Sequence, residues 1–401
     1  MERPIPGRQY DFTAPAVVHF GWGRRSELAG VIRSAAGASC RRAVVVCGSK
    51  TLAASTVYRE LLDGLAASGI EIAVTIAASR EPTVADVDAA TDAILSAQGD
   101  RPEVVLAIGG GSAIDLAKAA AAMATQPHSR QIRDYLEGIG RGLQLEAAPL
   151  PVVALPTTGG TGTEATRNAV ITASDPTCKK SLRSLSLVPK AVLIDPELGV
   201  TVSPEVTAWS GMDAITQLVE SFVSCRRSSL PQALAREALP SAWTSLPVAV
   251  RNGANRPARE ALAHAAFVSG LCLANAGLGL AHGVAAALGS LHGVPHGLAC
   301  ATLLPLAIRA NLNSVRGLYG ELAVLVGVAR AEDDPELAAP LFLDAVYGLL
   351  FELGIPERLA AFGVKRTHLD AIAEGSRGNS LNGNPRTVST EELRKLLESA
   401  L

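Results

Sequence analysis

Through its first 200 residues the chain alternates short β-branched runs with alanine-rich stretches of helical length, and after about residue 202 those runs stop. RAVVVCG (42–48) reads as a strand and TVYRELLDGLAASG (56–69) as a helix. IEIAVTIA (70–77) reads as a strand, VADVDAATDAILSAQG (84–99) as a helix, EVVLAIGGGS (103–112) as a strand entering a glycine turn, and AIDLAKAAAAMAT (113–125) as a helix. LPVVALPTT (150–158) and KAVLIDPEL (190–198) add two more strands. Parallel strands need crossover connections, so this alternation predicts βαβ units and a parallel sheet covered on both faces. Ser203 is a good helix N-cap and Pro204 suits the first helical position; from there the pattern is helical to the end. The expected architecture is an α/β domain over 1–202 and an all-α domain over 203–401, with a ligand cleft between them.

Composition narrows the function classes. The chain has 401 residues, 48% hydrophobic and 18% charged, enough for a large core and unlike a disordered chain. A net charge of −2, with no basic run interleaved with aromatics, gives no pull toward nucleic acid or an anionic membrane. Six scattered cysteines without a CxxC pair read as reduced thiols of a cytoplasmic protein. MERPIPGRQYDF has no apolar core of a secretory signal. The stretch 261–291 is apolar, but His264, Asn275 and His282 within it favour a buried helix pair over a membrane span.

Two loops and one spaced pattern carry chemistry. GGGSAIDLAK (109–118) follows a buried strand and opens a helix, where glycines admit a phosphate to the helix N-terminus and Ser112 adds a hydroxyl. A plain strand-to-helix turn is the simpler reading, but such a turn needs only one glycine; the run also lacks the GxGxxG spacing. LPTTGGTGTEAT (155–166), also after a strand, makes a hydroxyl-rich edge at the carboxyl end of the sheet, or a solvated loop. In the second half, Asp213 and Gln217 lie four apart and His282 and His296 follow, a pattern able to hold a divalent metal except that an amide is a weak ligand.

GGGSAIDLAK, PTTGGTGTEAT, KKSLRS before VLIDPEL, GMDAITQ and AHG…PHG stand in the order and spacing of the iron-containing (group III) alcohol dehydrogenases, which the chain resembles from FGWG near 20 to NPR at 384–386. The resemblance implies a Rossmann-like, dehydroquinate synthase-like N-terminal domain and a helical C-terminal domain. It implies an NAD or NADP cofactor, with Gly110, Gly111 and Ser112 on the pyrophosphate. Asp115, Thr157, Thr158, Thr161 and Lys180 would complete that site. It also implies Fe²⁺ or Zn²⁺ held by Asp213, the residue at 217, His282 and His296, and a homodimer acting on a small alcohol, aldehyde or ketone.

The chain departs from the family at two positions: Gln217 stands where a histidine is usual, and Ala286 replaces a histidine four residues after His282. Either Asp213, His282 and His296 still hold metal, with the Gln217 oxygen or water in fourth place, or the site is metal-free and the histidines bond the substrate directly. His292 could replace the missing proton relay or be a peripheral histidine. The strand VVVC ends in Gly48, Ser49 and Lys50 with no carboxylate, so Ser49 is expected to admit a 2′-phosphate and favour NADPH. A synthase of the dehydroquinate type, a metal-independent reductase of the maleylacetate type and a nucleotide-binding protein with a decayed site are the other readings.

Overall fold

The computed structural model describes residues 9–401 apart from Ser79. Residues 1–8, on which most of the reading of the N-terminus rests, lie outside the described residues. The described residues divide into two compact units: Thr13–Thr158 with Gly162–Val202, and Ser203–Leu401 with Gly159–Thr161 and residues 9–12. Two short segments thus group with the helical unit, which no single cut of the chain captures.

The first unit contains strands β1 (Val17–Phe20), β2 (Arg42–Cys47), β3 (Glu71–Ala77), β4 (Val104–Gly109), β5 (Val152–Pro156), β6 (Asn168–Ser174), β7 (Thr177–Arg183) and β8 (Ala191–Ile194). Its helices are α1 (Leu28–Ala36), α2 (Lys50–Ala53), α3 (Thr56–Ala67), α4 (Val84–Leu95) and α5 (Gly111–Met123). Six strands form one parallel sheet in the order β1-β8-β5-β4-β2-β3. β2 and β4 are buried along their whole length because both faces are covered. Val44 and Val46 pack with Val105, Ala107 and α4 and α5, while Ala43, Val45 and Cys47 pack with Leu106, Ile108 and α1 and α3. Each such aliphatic side chain contributes about 1.5–3 kcal/mol on burial, so an unbroken apolar run is what a two-faced strand requires.

Sheet order positions the loops. From β2 the chain builds β3 on one side, then returns to place β4 on the other, so the winding reverses between β2 and β4. Ligands of open α/β sheets bind beyond the strand ends at such a point. The pairs Cys47↔Ile108 and Gly109↔Pro156 set the ends of β2, β4 and β5 side by side. The expected strands are all present; β1 and the antiparallel hairpin β6–β7 were not anticipated.

The second unit is helical: α6 (Pro204–Val223), α7 (Ser229–Arg251), α8 (Arg256–Ala276), α9 (Leu280–His292), α10 (His296–Asn311), α11 (Arg316–Leu325), α12 (Pro335–Glu352), α13 (Leu369–Gly375) and α14 (Thr390–Ser399). Ser203 caps α6 by accepting from the Val206 N–H, with Pro204 at its start. Asp213, Gln217 and Glu220 recur at helical spacing on α6 and all three are buried. The stretch read as a buried helix pair is α8 and α9, bent by 103° at their junction, and among the described residues no single helix is long and apolar enough to cross a membrane.

Candidate metal centre and nucleotide loop

In the first unit the glycine run is forced by close approach. A Cβ on Gly109 would lie 2.6 Å from the Gly48 Cα, and one on Gly110 would lie 2.9 Å from the Thr158 hydroxyl. The loops after β2, β4 and β5 therefore touch through backbone and hydroxyl. Gly110 is the N-cap of α5 and no side chain caps that helix, which leaves the first-turn N–H groups to an anion. Gly110, Gly111, Ser112, Thr157 and Thr158 are part-exposed at this edge; Lys180, also part-exposed, lies on β7 of the separate hairpin.

Asp115 has a different place from the one implied. It is buried on α5, and its carboxylate accepts a 2.6 Å hydrogen bond from the Thr163 hydroxyl. Lys118, one turn on and fully buried, donates to the Thr163 carbonyl at 2.8 Å and the Thr166 hydroxyl at 3.1 Å. Burial pushes the Lys118 amine down to about 8 against the pull of Asp115 and Glu164, and pushes the buried Glu164 carboxyl up to about 7. Together they clasp the threonine loop to α5. Sequence reasoning passed over Lys118, although its three-residue spacing from Asp115 puts both on one helix face.

In the second unit four side chains from three helices converge. Asp213 comes from the middle of α6, His282 from the first turn of α9, and His296 and Cys300 from the first turns of α10. His282 Nε2 lies 3.1 Å and His296 Nε2 3.8 Å from Asp213 Oδ1, and Cys300 Sγ lies 3.6 Å from His296 Nε2. One donor atom from each lies within 4.8 Å of all the others. Asp213, His282 and Cys300 are buried, and the His296 side chain is 32% exposed. Gly297 permits the approach of α10 to α6, because a Cβ there would fall 2.4 Å from the Trp209 carbonyl oxygen.

His282 is held from behind. Its Nδ1 lies 2.8 Å from Glu220 Oε2, and the Glu220 carboxylate also accepts from the Gly279 and Ala281 N–H groups at 3.0 and 2.7 Å. A carboxylate accepting from Nδ1–H turns Nε2 toward the cluster, where it donates to Asp213 Oδ1 and becomes a ligand when a metal displaces its proton. Asp213, His282, His296 and Cys300 thus each bring one metal-ligating atom to one point. Burial pushes the Asp213 carboxyl up, but His296 and His282 prevail and hold it below its usual range. Burial alone would lower His282 and His296, yet Cys300 and Asp213 hold both above the usual imidazole value. The cluster attracts positive charge. Its donors fit a divalent metal, for small side-chain rotations reach the spacing of about 3.5 Å between donors around a tetrahedral ion.

Two expected site residues lie elsewhere. Gln217 donates from Nε2 to the Thr161 carbonyl at 3.2 Å, and its Oε1 accepts from the Ser269 hydroxyl at 2.7 Å, so both ends of the amide are engaged outside the cluster. His292 ends α9 with its ring centroid 4.8 Å from that of His368, and it is not one of the converging four. Cys300 was missed; the signal was its four-residue spacing from His296.

Comparison with known proteins bears on both units. A family model described as iron-containing alcohol dehydrogenase matches residues 15–196, and one described as the C-terminal part of the Fe-containing alcohol dehydrogenase family matches 207–401. Alcohol dehydrogenase 4 of Saccharomyces cerevisiae (strain YJM789) is 30% identical over 394 residues, covering 97% of this chain and 98% of that protein. The 1-propanol dehydrogenase PduQ of Salmonella typhimurium is 34% identical over 328 residues, covering 80% and 83%. The crystal structure of sulfoacetaldehyde reductase from Bifidobacterium kashiwanohense in complex with NAD⁺ superposes with a TM-score of 0.86 at 28% identity, covering 98% of this chain and 99% of that one.

Proposed function

The chain belongs to the iron-containing alcohol dehydrogenase family, and we propose that it interconverts a small alcohol with its aldehyde or ketone at a divalent metal held by Asp213, His282 and His296. It is an oxidoreductase acting on CH–OH groups with a nicotinamide dinucleotide. The observation that carries the metal reading is the convergence of four ligating side chains on one point, with His282 held by Glu220.

When bound, the nicotinamide carries the hydride and the metal serves as Lewis acid toward the substrate oxygen. The first turn of α5 and the hydroxyls of Ser112, Thr157 and Thr158 bind the pyrophosphate and adjoining sugar, with Lys180 as a further cation. Asp213 and the histidines hold the metal, and Glu220 fixes the orientation of His282. Ala286, one turn after His282, is part-exposed between buried neighbours on α9. With a methyl group there, the alcohol proton is exchanged with water reaching the partly exposed His296.

The reading extends to cofactor choice. Ser49 uses its hydroxyl oxygen to accept from the Leu52 N–H at 3.0 Å, which leaves its O–H for donation beside the exposed Lys50. These groups and the lack of a carboxylate at the end of β2 support acceptance of a 2′-phosphate. We expect kcat/KM to be higher with NADPH than with NADH; the reverse ratio overturns that part. A cytoplasmic location is supported by six unpaired cysteines, and a homodimer, which light scattering tests, by the family resemblance.

The decisive test is a panel of short aldehydes, hydroxyaldehydes and keto acids offered with NADH and NADPH to protein reloaded with Fe(II) or Zn(II). Metal-dependent oxidation of the reduced cofactor is expected. No oxidation with any member sinks the reading. Turnover that survives complete demetallation replaces it with a metal-independent reductase, the alternative that Gln217 favours.

A further inference from the structure

We propose that Cys300, and not Gln217, completes the ligand set, so that the centre is an Asp–His–His–Cys site with a thiolate where the family resemblance places a histidine. The inference rests on the metal reading given above. It starts from the two ends of the Gln217 amide. Nε2 donates to a carbonyl, which can only accept, so the amide cannot be flipped without losing that bond. Its Oε1 then points to Ser269. To serve as ligand Gln217 has to share its oxygen with the Ser269 hydroxyl or turn away from it.

Cys300 is already there. It lies one turn after His296 on α10, so both side chains present to the same face. Its Sγ is 3.6 Å from His296 Nε2 and lies within the group whose donor atoms approach within 4.8 Å. A fully buried cysteine is ordinarily a small apolar filler, and Cys300 does contribute to the helical core. A filler would face the apolar side of the core, whereas this sulfur is turned to His296 and stands among ligating atoms. The loss of an imidazole at 217 is met by a donor gained from another helix. Thiolate and carboxylate together neutralise a divalent ion, and the soft sulfur suits zinc and tetrahedral cobalt.

Optical and X-ray absorption of cobalt-loaded protein test this apart from catalysis. Demetallated wild-type protein reloaded with Co(II) is expected to show a near-ultraviolet thiolate-to-cobalt charge-transfer band and one sulfur in the cobalt coordination shell. Cys300→Ser is expected to lose that band and to bind Co(II) and Zn(II) at least about tenfold more weakly. Gln217→Ala is expected to keep the band and to bind within about threefold of wild type. A wild-type shell of nitrogen and oxygen alone overturns the proposal, whether or not the variants fold. So does a band that persists in Cys300→Ser, or metal loss in Gln217→Ala alone. The band in a protein that reduces no carbonyl leaves Cys300 as ligand and removes the proposed function. Metal-dependent turnover without the band does the reverse.

Discussion

Two buried polar clusters in this chain are built on opposite plans. In the nucleotide unit, Lys118 donates to the Thr163 carbonyl and the Thr166 hydroxyl while the Thr163 hydroxyl donates to Asp115. Donors meet acceptors from the same chain. In the helical unit, Asp213, His282, His296 and Cys300 bring ligating atoms to one point, with imidazole protons as the only positive charge among them, and Glu220 holds the other ring nitrogen of His282. Buried polar groups in native proteins find partners. The first cluster keeps a fixed cation, Lys118, and acts as a clasp; the second holds exchangeable imidazole protons that a metal cation can replace. Burial and charge alone do not separate them, whereas the nature of the cation does.

The largest expected effect comes from the open cluster. Asp213→Ala should abolish metal retention and lower kcat/KM by roughly four orders of magnitude, or about 5 kcal/mol of transition-state stabilisation. The metal-free variant should lose less stability in urea unfolding than a clasp variant does, because His282 keeps Glu220 as partner and the His296 side chain is partly exposed. Equal losses in metal-free stability for Asp213→Ala and a clasp variant would erase the distinction.

The clasp should behave in the opposite way. Lys118→Ala leaves the Thr163 carbonyl and the Asp115 and Glu164 carboxyls buried without their cation, and breaking such a network costs about 3–5 kcal/mol. A urea midpoint measured with and without metal should fall equally in both conditions. Cofactor KM should rise as the threonine loop loosens, while metal content stays at the wild-type level.

The same contrast explains what the sequence disclosed. The sheet and the glycine turn were legible because their causes are local: apolar runs buried on both faces, and glycines where Cβ atoms would collide with Gly48 and Thr158. The short edge strand β1 carries no period to read. The hairpin β6–β7 does alternate, buried against exposed, in Asn168–Ser174, but it follows a glycine-rich loop that masks where the strand begins. The clasp was hidden because Lys118 sits in an alanine-rich helix as any surface lysine would. The metal centre draws on three helices, so no local pattern contains it; the spacing of Asp213, His282 and His296 suggested a metal site, and the ordered motifs of the family supported those residues. Cys300, set in the apolar run ACATLL, looked like core.

A smaller effect tests the support of the open cluster. In Glu220→Gln one oxygen becomes an NH2, so the amide oxygen can keep the Gly279 N–H and His282 Nδ1 bonds while the Ala281 N–H loses its acceptor, and the neutral partner weakens the hold on His282. Zinc affinity should fall about 10- to 100-fold with the fold retained, as is common for groups that orient a ligating histidine. Unchanged affinity would mean that His282 needs no orientation from behind, and that its aim into the cluster is incidental packing.

The smallest effect is the pH dependence of the clasp, read on metal-free protein. Burial raises Glu164 from 4.5 to about 7, so between those values the folded chain keeps a proton that the unfolded chain has released. Raising the pH through that window therefore costs stability, and Asp115, also raised by burial, adds to the same limb. Lys118 is lowered from 10.5 to about 8, so above about 8 the folded chain releases a proton that the unfolded chain keeps, and rising pH restores stability. The expected profile is a shallow minimum between about 7 and about 8, on the order of 2 kcal/mol deep. Glu164→Gln should remove most of the falling limb and leave the rising one. A flat profile in wild type would mean that water reaches the pair, and the cluster taken as closed would then be as open as the metal centre.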